Sequence, residues 1–222
     1  MSRVLVITGG IGSGKSEVCR ILRRLGFTFQ YDADSRVKML YKDCDGLLDR
    51  IEVSLGCRLR DEAGEFRPVL LADRIFSDRQ ALDTVESIVF PALADDFRKY
   101  VHESEHTPGF PGIVILESAT ILEKRFFDGL YDSAVFVEAP FEVRLGRACR
   151  RDGVDKEKIL ARMANQTFAN AVSDGSINSY PADSQEAAMY RRIDSFLNTD
   201  CSLEELANRV SDMIKTVITK KL

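Results

Sequence analysis

The chain has 222 residues, 45% hydrophobic and 30% charged, with a formal net charge of -4; this is the balance of a globular protein with a sizeable core and excludes a disordered chain. The modest negative charge argues against a protein held on nucleic acid or on a membrane by bulk electrostatics, so the expected partners are small molecules. No long apolar span and no charged-then-apolar leader is present, and Cys19, Cys44, Cys57, Cys149 and Cys201 are odd in number, widely spread and without C-x-x-C spacing, which together point to reduced thiols in a cytoplasmic enzyme.

The apolar run Val4 to Thr8 reads as a buried strand, and the residues after it, Gly9-Gly10-Ile11-Gly12-Ser13-Gly14-Lys15-Ser16, fit the phosphate-loop pattern G-x-x-x-x-G-K-[ST]. Glycines let the backbone approach a polyphosphate and turn N–H groups toward it, and the following helix N-terminus adds favourable potential. Lys15 is placed to reach the β- and γ-phosphates, and the Ser16 hydroxyl is the hard oxygen ligand that Mg²⁺ prefers. A helix is expected from Lys15 to Leu25, burying Val18, Ile21, Leu22 and Leu25, with Gly26 to stop it. The candidate nucleotide-binding residues here are Gly10, Ile11, Gly12, Ser13, Gly14, Lys15, Ser16 and Glu17, with Ser16 the candidate metal ligand.

A second strand, Phe27 to Tyr31, runs into Asp32-Ala33-Asp34. Two carboxylates at the C-terminal edge of a parallel strand stand where α/β sheets build their ligand crevices. One can accept a proton from a substrate hydroxyl while the other orients a metal-bound water or a ribose hydroxyl. An isolated D-x-D can equally be a helix N-cap. Beside a phosphate loop the catalytic reading is preferred, and the choice between Asp32 and Asp34 as base stays open.

Further along, a helix is expected over Gln80 to Val101, ending before the breaker-rich Thr107-Pro108-Gly109-Phe110-Pro111-Gly112. Directly after it, His102-Glu103-Ser104-Glu105-His106 formally matches the zinc-peptidase pattern H-E-x-x-H. The breakers follow at once in polar surroundings, so this is read as coincidence. Strands follow at Ile113 to Leu116 and Ala134 to Val137, with a weaker one at Asp194 to Leu197. Arg144, Arg147 and Arg151 fall at i, i+3, i+7 spacing, which presents three guanidiniums on one helix face; a lid that closes over ATP phosphates is one reading and a solvated basic helix the other. The last helix opens on a capping box, Ser202 to Glu205, and is expected to bury Leu203, Leu206, Val210, Met213, Ile214 and Val217. Apolar runs alternating with helical periodicity give an α/β fold, a parallel sheet of about five strands covered by helices on both faces.

Taken together the motifs resemble the dephospho-CoA kinase family over most of the chain. Thr8-Gly9-Gly10-Ile11-Gly12-Ser13-Gly14-Lys15-Ser16 resembles its phosphate loop, and Asp32-Ala33-Asp34 its Asp-Ala-Asp, of which the second acid, Asp34, is by resemblance the base. Gly64 to Asp78, with Arg67, Leu71, Ile75, Phe76 and Ser77, and Val85 to Pro91 are similar to segments of that family's substrate-side helical lobe. Leu116 to Glu123 resembles the strand-end segment facing the acceptor, Arg147, Arg151-Asp152-Gly153, Arg162 and Gln166 the lid, and Asn198 the asparagine near adenine. Three departures stand out: Phe90 in place of a histidine, Glu17 in place of a threonine and pointing away in the first helical turn, and a longer stretch between Gln166 and Asn198 whose polar, breaker-rich sequence reads as a flexible surface loop.

The resemblance implies a single P-loop kinase domain over residues 1–222. Its core covers about 1–34, 112–142 and 193–222, its helical acceptor lobe about 35–111, its lid about 143–168 and the insertion about 169–192. It implies transfer of the γ-phosphoryl of ATP, with Mg²⁺, to the 3′-hydroxyl of dephospho-CoA, with Asp34, Lys15, Arg147 and Asp32 as catalytic candidates and Arg147, Arg151 and Asn198 as further nucleotide contacts. Another P-loop kinase of the nucleoside monophosphate type shares loop and lid but not the Asp-Ala-Asp and Arg-Asp-Gly set together. A guanine-reading N-K-x-D is not found.

Overall fold

The structure, a computed structural model, describes residues 2–219, apart from the side chains of Phe76, Ser77 and Ile218. In chain order it contains β1 (Arg3–Thr8), α1 (Lys15–Arg24), β2 (Gln30–Asp32), α2 (Ala33–Asp43), α3 (Leu47–Leu55), α4 (Pro68–Ser77), α5 (Arg79–Glu105), β3 (Ile113–Glu117), β4 (Ser133–Glu138), α6 (Phe141–Asp152), α7 (Lys156–Ala164), α8 (Thr167–Asp174), α9 (Gln185–Tyr190), β5 (Ser195–Asn198) and α10 (Leu203–Thr219). The strands form one parallel sheet in the order β2-β3-β1-β4-β5. β1 lies between β3 and β4, so the loop at its C-terminal end opens where the strand order reverses, the place such sheets bind ligands.

Both faces of this sheet are covered, and the strands are therefore apolar almost throughout. Leu5, Ile7, Ile113, Ile115, Val135, Val137 and Leu197 pack with Val18, Ile21 and Leu22 of α1 and with Leu206, Val210 and Ile214 of α10. The alternate residues Val4, Val6, Val114, Leu116, Ala134 and Phe136 are equally buried. Period-two alternation thus sends one residue set to each helical layer.

The chain divides into two compact units, one formed by Met1–Tyr31 with Glu103–Leu222 and the other by Asp32–His102. The second is helical, with α2, α3, α4 and most of α5 around buried Leu40, Leu48, Ile51, Leu59, Leu71, Val85, Val89, Leu93 and Phe97. Two ionic clusters brace it. Arg36 makes a forked contact with Asp96 at 2.7 and 2.8 Å, and Arg60 pairs with Glu52 and with Asp49.

Several expectations are corrected. β2 starts at Gln30 rather than Phe27, because the N–H groups of Phe27 and Thr28 bond back to Leu22 and Gly26 as the chain leaves α1. Leu25 is 45% exposed rather than buried, and Leu203 is 68% exposed; each sits at a helix end, where the apolar stripe has turned away from the sheet. α5 runs on to Glu105, since the breakers begin only at Thr107, and it carries Pro91 in its interior. The stretch expected to be a flexible loop holds α8, a 3₁₀ turn at Ser176–Ser179 and α9, and it buries Phe168, Ala169, Ala171, Val172, Ile177 and Met189.

Candidate phosphate-binding site

The loop between β1 and α1 is shaped by its glycines. Gly12 has φ +74°, and a methyl group placed on it would lie 2.1 Å from the carbonyl oxygen of Arg144, so no larger residue fits. Gly14 is the N-cap of α1 and has no side chain to take up the first-turn N–H groups, which leaves that end of the helix to an anion. The Lys15 ammonium folds back on the loop, donating to the carbonyls of Gly9 at 2.8 Å and Gly10 at 3.2 Å. The Ser16 hydroxyl donates to Glu117 at 2.7 Å.

Beside this loop lies a cavity of about 380 Å³ lined by Gly12, Gly14, Lys15, Ser16, Glu17, Arg147, Ala148, Arg151, Thr199, Cys201, Leu203 and Leu206. Its two kinds of wall differ in chemistry. Loop backbone and three cations suit phosphates, whereas Cys201, Leu203 and Leu206 offer an apolar surface fit for a flat base. The exposure of Leu203, unexpected for a residue of a core stripe, belongs to this wall.

The three arginines of α6 have three different fates. Arg147 donates to the Thr199 hydroxyl at 2.7 Å and to its carbonyl at 2.9 Å, while that hydroxyl donates to the Ser13 carbonyl at 2.6 Å. Arg147 is thereby held at the cavity wall. Arg151 is gripped by Asp152 at 2.6 and 3.1 Å, and Arg162 binds the same carboxylate at 2.6 Å. Hydrogen bonding from Arg151, helped by Arg162, holds the Asp152 carboxyl down to about 2, and the same bond pushes the Arg151 guanidinium up. Arg144 corrects the expectation of one basic face. It is 1% exposed and bonds the Ile11 carbonyl instead of lining the cavity, and burial pushes its guanidinium down from its ordinary value.

Gly10, Ile11 and Ser13, expected at the nucleotide, are not among the residues that line the cavity. The Ile11 N–H is taken by Gln166 at 2.7 Å. Glu17, expected to point away, is among the lining residues and pairs with Arg20. Asn198 lies in a neighbouring groove of about 530 Å³ with Glu138, Arg209 and Asp212. Its side-chain oxygen accepts from the Asp200 N–H at 2.8 Å, and its successor Thr199 reaches the cavity beside the phosphate loop.

In the helical unit, Asp32 caps α2. One of its oxygens accepts from the Ser35 N–H at 3.0 Å and the other from the Ser35 hydroxyl at 2.6 Å. Asp34 is exposed in the first turn of the same helix. Arg67, at the start of α4, pairs with Asp61 at 2.9 Å. Local reasoning missed Thr199 altogether and did not foresee that Glu117 meets Ser16. The signal for Glu117 was its place at the end of an apolar strand next to the loop's strand; Thr199 offered none.

The family model described as dephospho-CoA kinase matches residues 3–173. A Porphyromonas gingivalis protein of that description is 37% identical over 179 residues, 79% of this chain and 85% of its own. Among solved structures, TT1252 from Thermus thermophilus superposes with a TM-score of 0.71 at 26% identity, covering 98% of each chain. The dephospho-CoA kinase of Campylobacter jejuni superposes with a TM-score of 0.61 at 17% identity, covering 100% of each, a likeness of fold.

Proposed function

The chain belongs to the dephospho-CoA kinase family, kinases that transfer phosphate from ATP, and on that premise we propose that the cavity beside the phosphate loop holds ATP for transfer of its γ-phosphoryl to the 3′-hydroxyl of dephospho-CoA. The observation that carries this reading is the convergence of Lys15, Arg147 and Arg151 on a cavity that the loop glycines, Ser16, Glu17 and Thr199 also line and that Cys201, Leu203 and Leu206 make apolar on one side.

Phosphoryl transfer is helped chiefly by positioning and by neutralising charge. Lys15 exchanges its two loop carbonyls for the β- and γ-phosphate oxygens. Loop N–H groups and the N-terminus of α1 bind the β-phosphate, and Arg147 and Arg151 meet the outer oxygens from the lid. Cys201, Leu203 and Leu206 take the base. The acceptor oxygen attacks phosphorus, the bond to the ADP oxygen breaks, and the hydroxyl proton passes to Asp34. Asp34 takes this part by its match to the second acid of the family's Asp-Ala-Asp, while Asp32 caps α2 through Ser35.

The residues fit a magnesium ion: the Ser16 hydroxyl and the Glu117 carboxylate are hard oxygens 2.7 Å apart. These two residues would hold Mg²⁺, which would neutralise phosphate charge during the transfer. ATP as donor and five cysteines outside any disulfide fit a cytoplasmic setting, and no described helix is long and apolar enough to cross a membrane.

The test is a ranking of acceptors. Purified protein consumes ATP rapidly with dephospho-CoA and slowly with AMP, CMP or shikimate, and coenzyme A appears in step with ADP. A reversed ranking rejects the acceptor while leaving the nucleotide site in place.

A further inference from the structure

Ile11 is held at each of its handles. Its N–H is bound by Gln166 at 2.7 Å, its carbonyl by the Arg144 Nε at 3.1 Å, and its side chain packs into the small apolar cluster of Leu145, Ala148, Ile159 and Met163. The loop and the helices after β4 therefore share one residue. Arg144 fixes the junction from behind. A methyl group on Gly10 would lie 2.2 Å from its Nη2, so the guanidinium is flush against the loop backbone. Its other nitrogens reach the Ser173 hydroxyl at 3.2 Å and the Asn170 side-chain oxygen at 3.4 Å, both on α8, and Asn170 is in turn fixed to the Met163 carbonyl at 2.7 Å.

All of these partners are neutral. A guanidinium 1% exposed with no carboxylate hydrogen-bonded to it among the described residues is costly, and neutral oxygens offset only part of the loss of water. A neutral amide could satisfy the Ile11 carbonyl without that cost. A charge in such a place is explained by something of opposite sign nearby, and the other side of the loop is the cavity that receives phosphates. Across a thin layer of backbone, in surroundings less polar than water, the attraction is screened weakly.

We propose that Arg144 is a positioning residue for ATP: it fixes the shape of the phosphate loop through Ile11 and sets a buried positive charge behind the phosphates, which bound nucleotide compensates. α8, from the stretch expected to be a loose insertion, supports that guanidinium and so belongs to the nucleotide site. The proposal rests on the reading of the cavity given above. Binding to the folded protein of a ligand that relieves its buried charge raises stability by linkage, so nucleotide stabilises the wild type more than a variant without the charge.

The experiment compares wild type with Arg144→Met and Arg144→Lys by calorimetric ATP titration, by melting with and without ATP, and by KM for each substrate. Arg144→Met is expected to weaken ATP binding at least about tenfold and to shrink the ATP-induced rise in Tm, with KM for dephospho-CoA within about twofold of wild type. Arg144→Lys, which keeps the charge and loses the fork, is expected to fall between. A merely structural role predicts lower Tm with unchanged ATP affinity, and that result overturns the proposal. Should Arg144→Met fail to fold, Arg144→Lys decides alone: threefold or greater weakening, on the order of what losing a planar fork costs, supports the proposal and wild-type affinity overturns it. A wild-type protein that binds no ATP overturns the cavity reading and this proposal with it, whereas ATP binding in wild type with unaltered affinity in both variants overturns this proposal only.

Discussion

The hydroxyl of Ser16 donates to the carboxylate of Glu117 across 2.7 Å, joining the first turn of α1 to the C-terminal end of β3. β3 lies directly beside β1, with Glu117 in register with Ile7, so the contact is dictated by sheet order rather than by a chance rotamer. Glu117→Gln keeps the shape and removes the charge. If the proposed magnesium site is right, the expected outcome is a roughly 10- to 100-fold weaker apparent Mg²⁺ affinity with nearly unchanged melting, the range for loss of a group that holds or orients a metal. Turnover measured against Mg²⁺ concentration checks it, and an unchanged Mg²⁺ dependence removes Glu117 from the metal site.

The two aspartates at the start of α2 are separable by experiment. Asp32 accepts from Ser35 with both oxygens, a capping task that asparagine performs nearly as well and alanine does not. Asp32→Ala is expected to cost about 1 kcal/mol and Asp32→Asn much less. Asp34→Asn is expected to lower kcat by roughly 10²- to 10⁴-fold, the range for removal of a general base, with little loss of stability. Urea melts and single-turnover rates on the three variants check both halves. Equal losses of rate in Asp32→Asn and Asp34→Asn remove the division of labour.

What sequence alone made legible was what local chemistry determines. The phosphate loop is read from neighbouring residues because its backbone makes the site. β1, β3 and β4 are read from apolar runs because they are buried on both faces. β2 was misplaced because the turn out of α1 consumes Phe27 and Thr28, both good strand formers. α8 and α9 escape local reading because each is short, and their stability comes from burial of Phe168, Val172 and Met189, which no local signal announces. Thr199 bonds Ser13 from 186 residues away, and Arg144 bonds Ile11 from 133 away. Contacts at that separation leave no periodicity to find, and helical spacing alone could not tell that Arg144 is buried while Arg151 lines a cavity.

The Arg151–Asp152–Arg162 cluster predicts a pH dependence. In the folded protein the Asp152 carboxyl is held at about 2 against an ordinary 3.8, first by the bond from Arg151. A depressed carboxyl stabilises the fold above its unfolded value, and that contribution fades as pH falls from 3.8 through about 2. Wild type is therefore expected to melt higher than Asp152→Asn at neutral pH, with the gap closing over that acid window. Melting curves from pH 7 to 2 check it, and a gap independent of pH assigns the effect to packing instead.

Leu203 separates binding from stability most cleanly. It is 68% exposed and lines the cavity with Cys201 and Leu206, so removing its side chain withdraws little apolar area from the free protein's interior. Exposed substitutions of this kind shift stability by no more than about 0.5 kcal/mol. Against a bound base the same side chain is covered, and burying it contributes roughly 1 to 2 kcal/mol. Leu203→Ser is thus expected to raise KM for ATP by about 5- to 30-fold with kcat at saturation and KM for dephospho-CoA nearly unchanged. A parallel fall in Tm, or a rise in KM for dephospho-CoA instead of ATP, places the base on another wall.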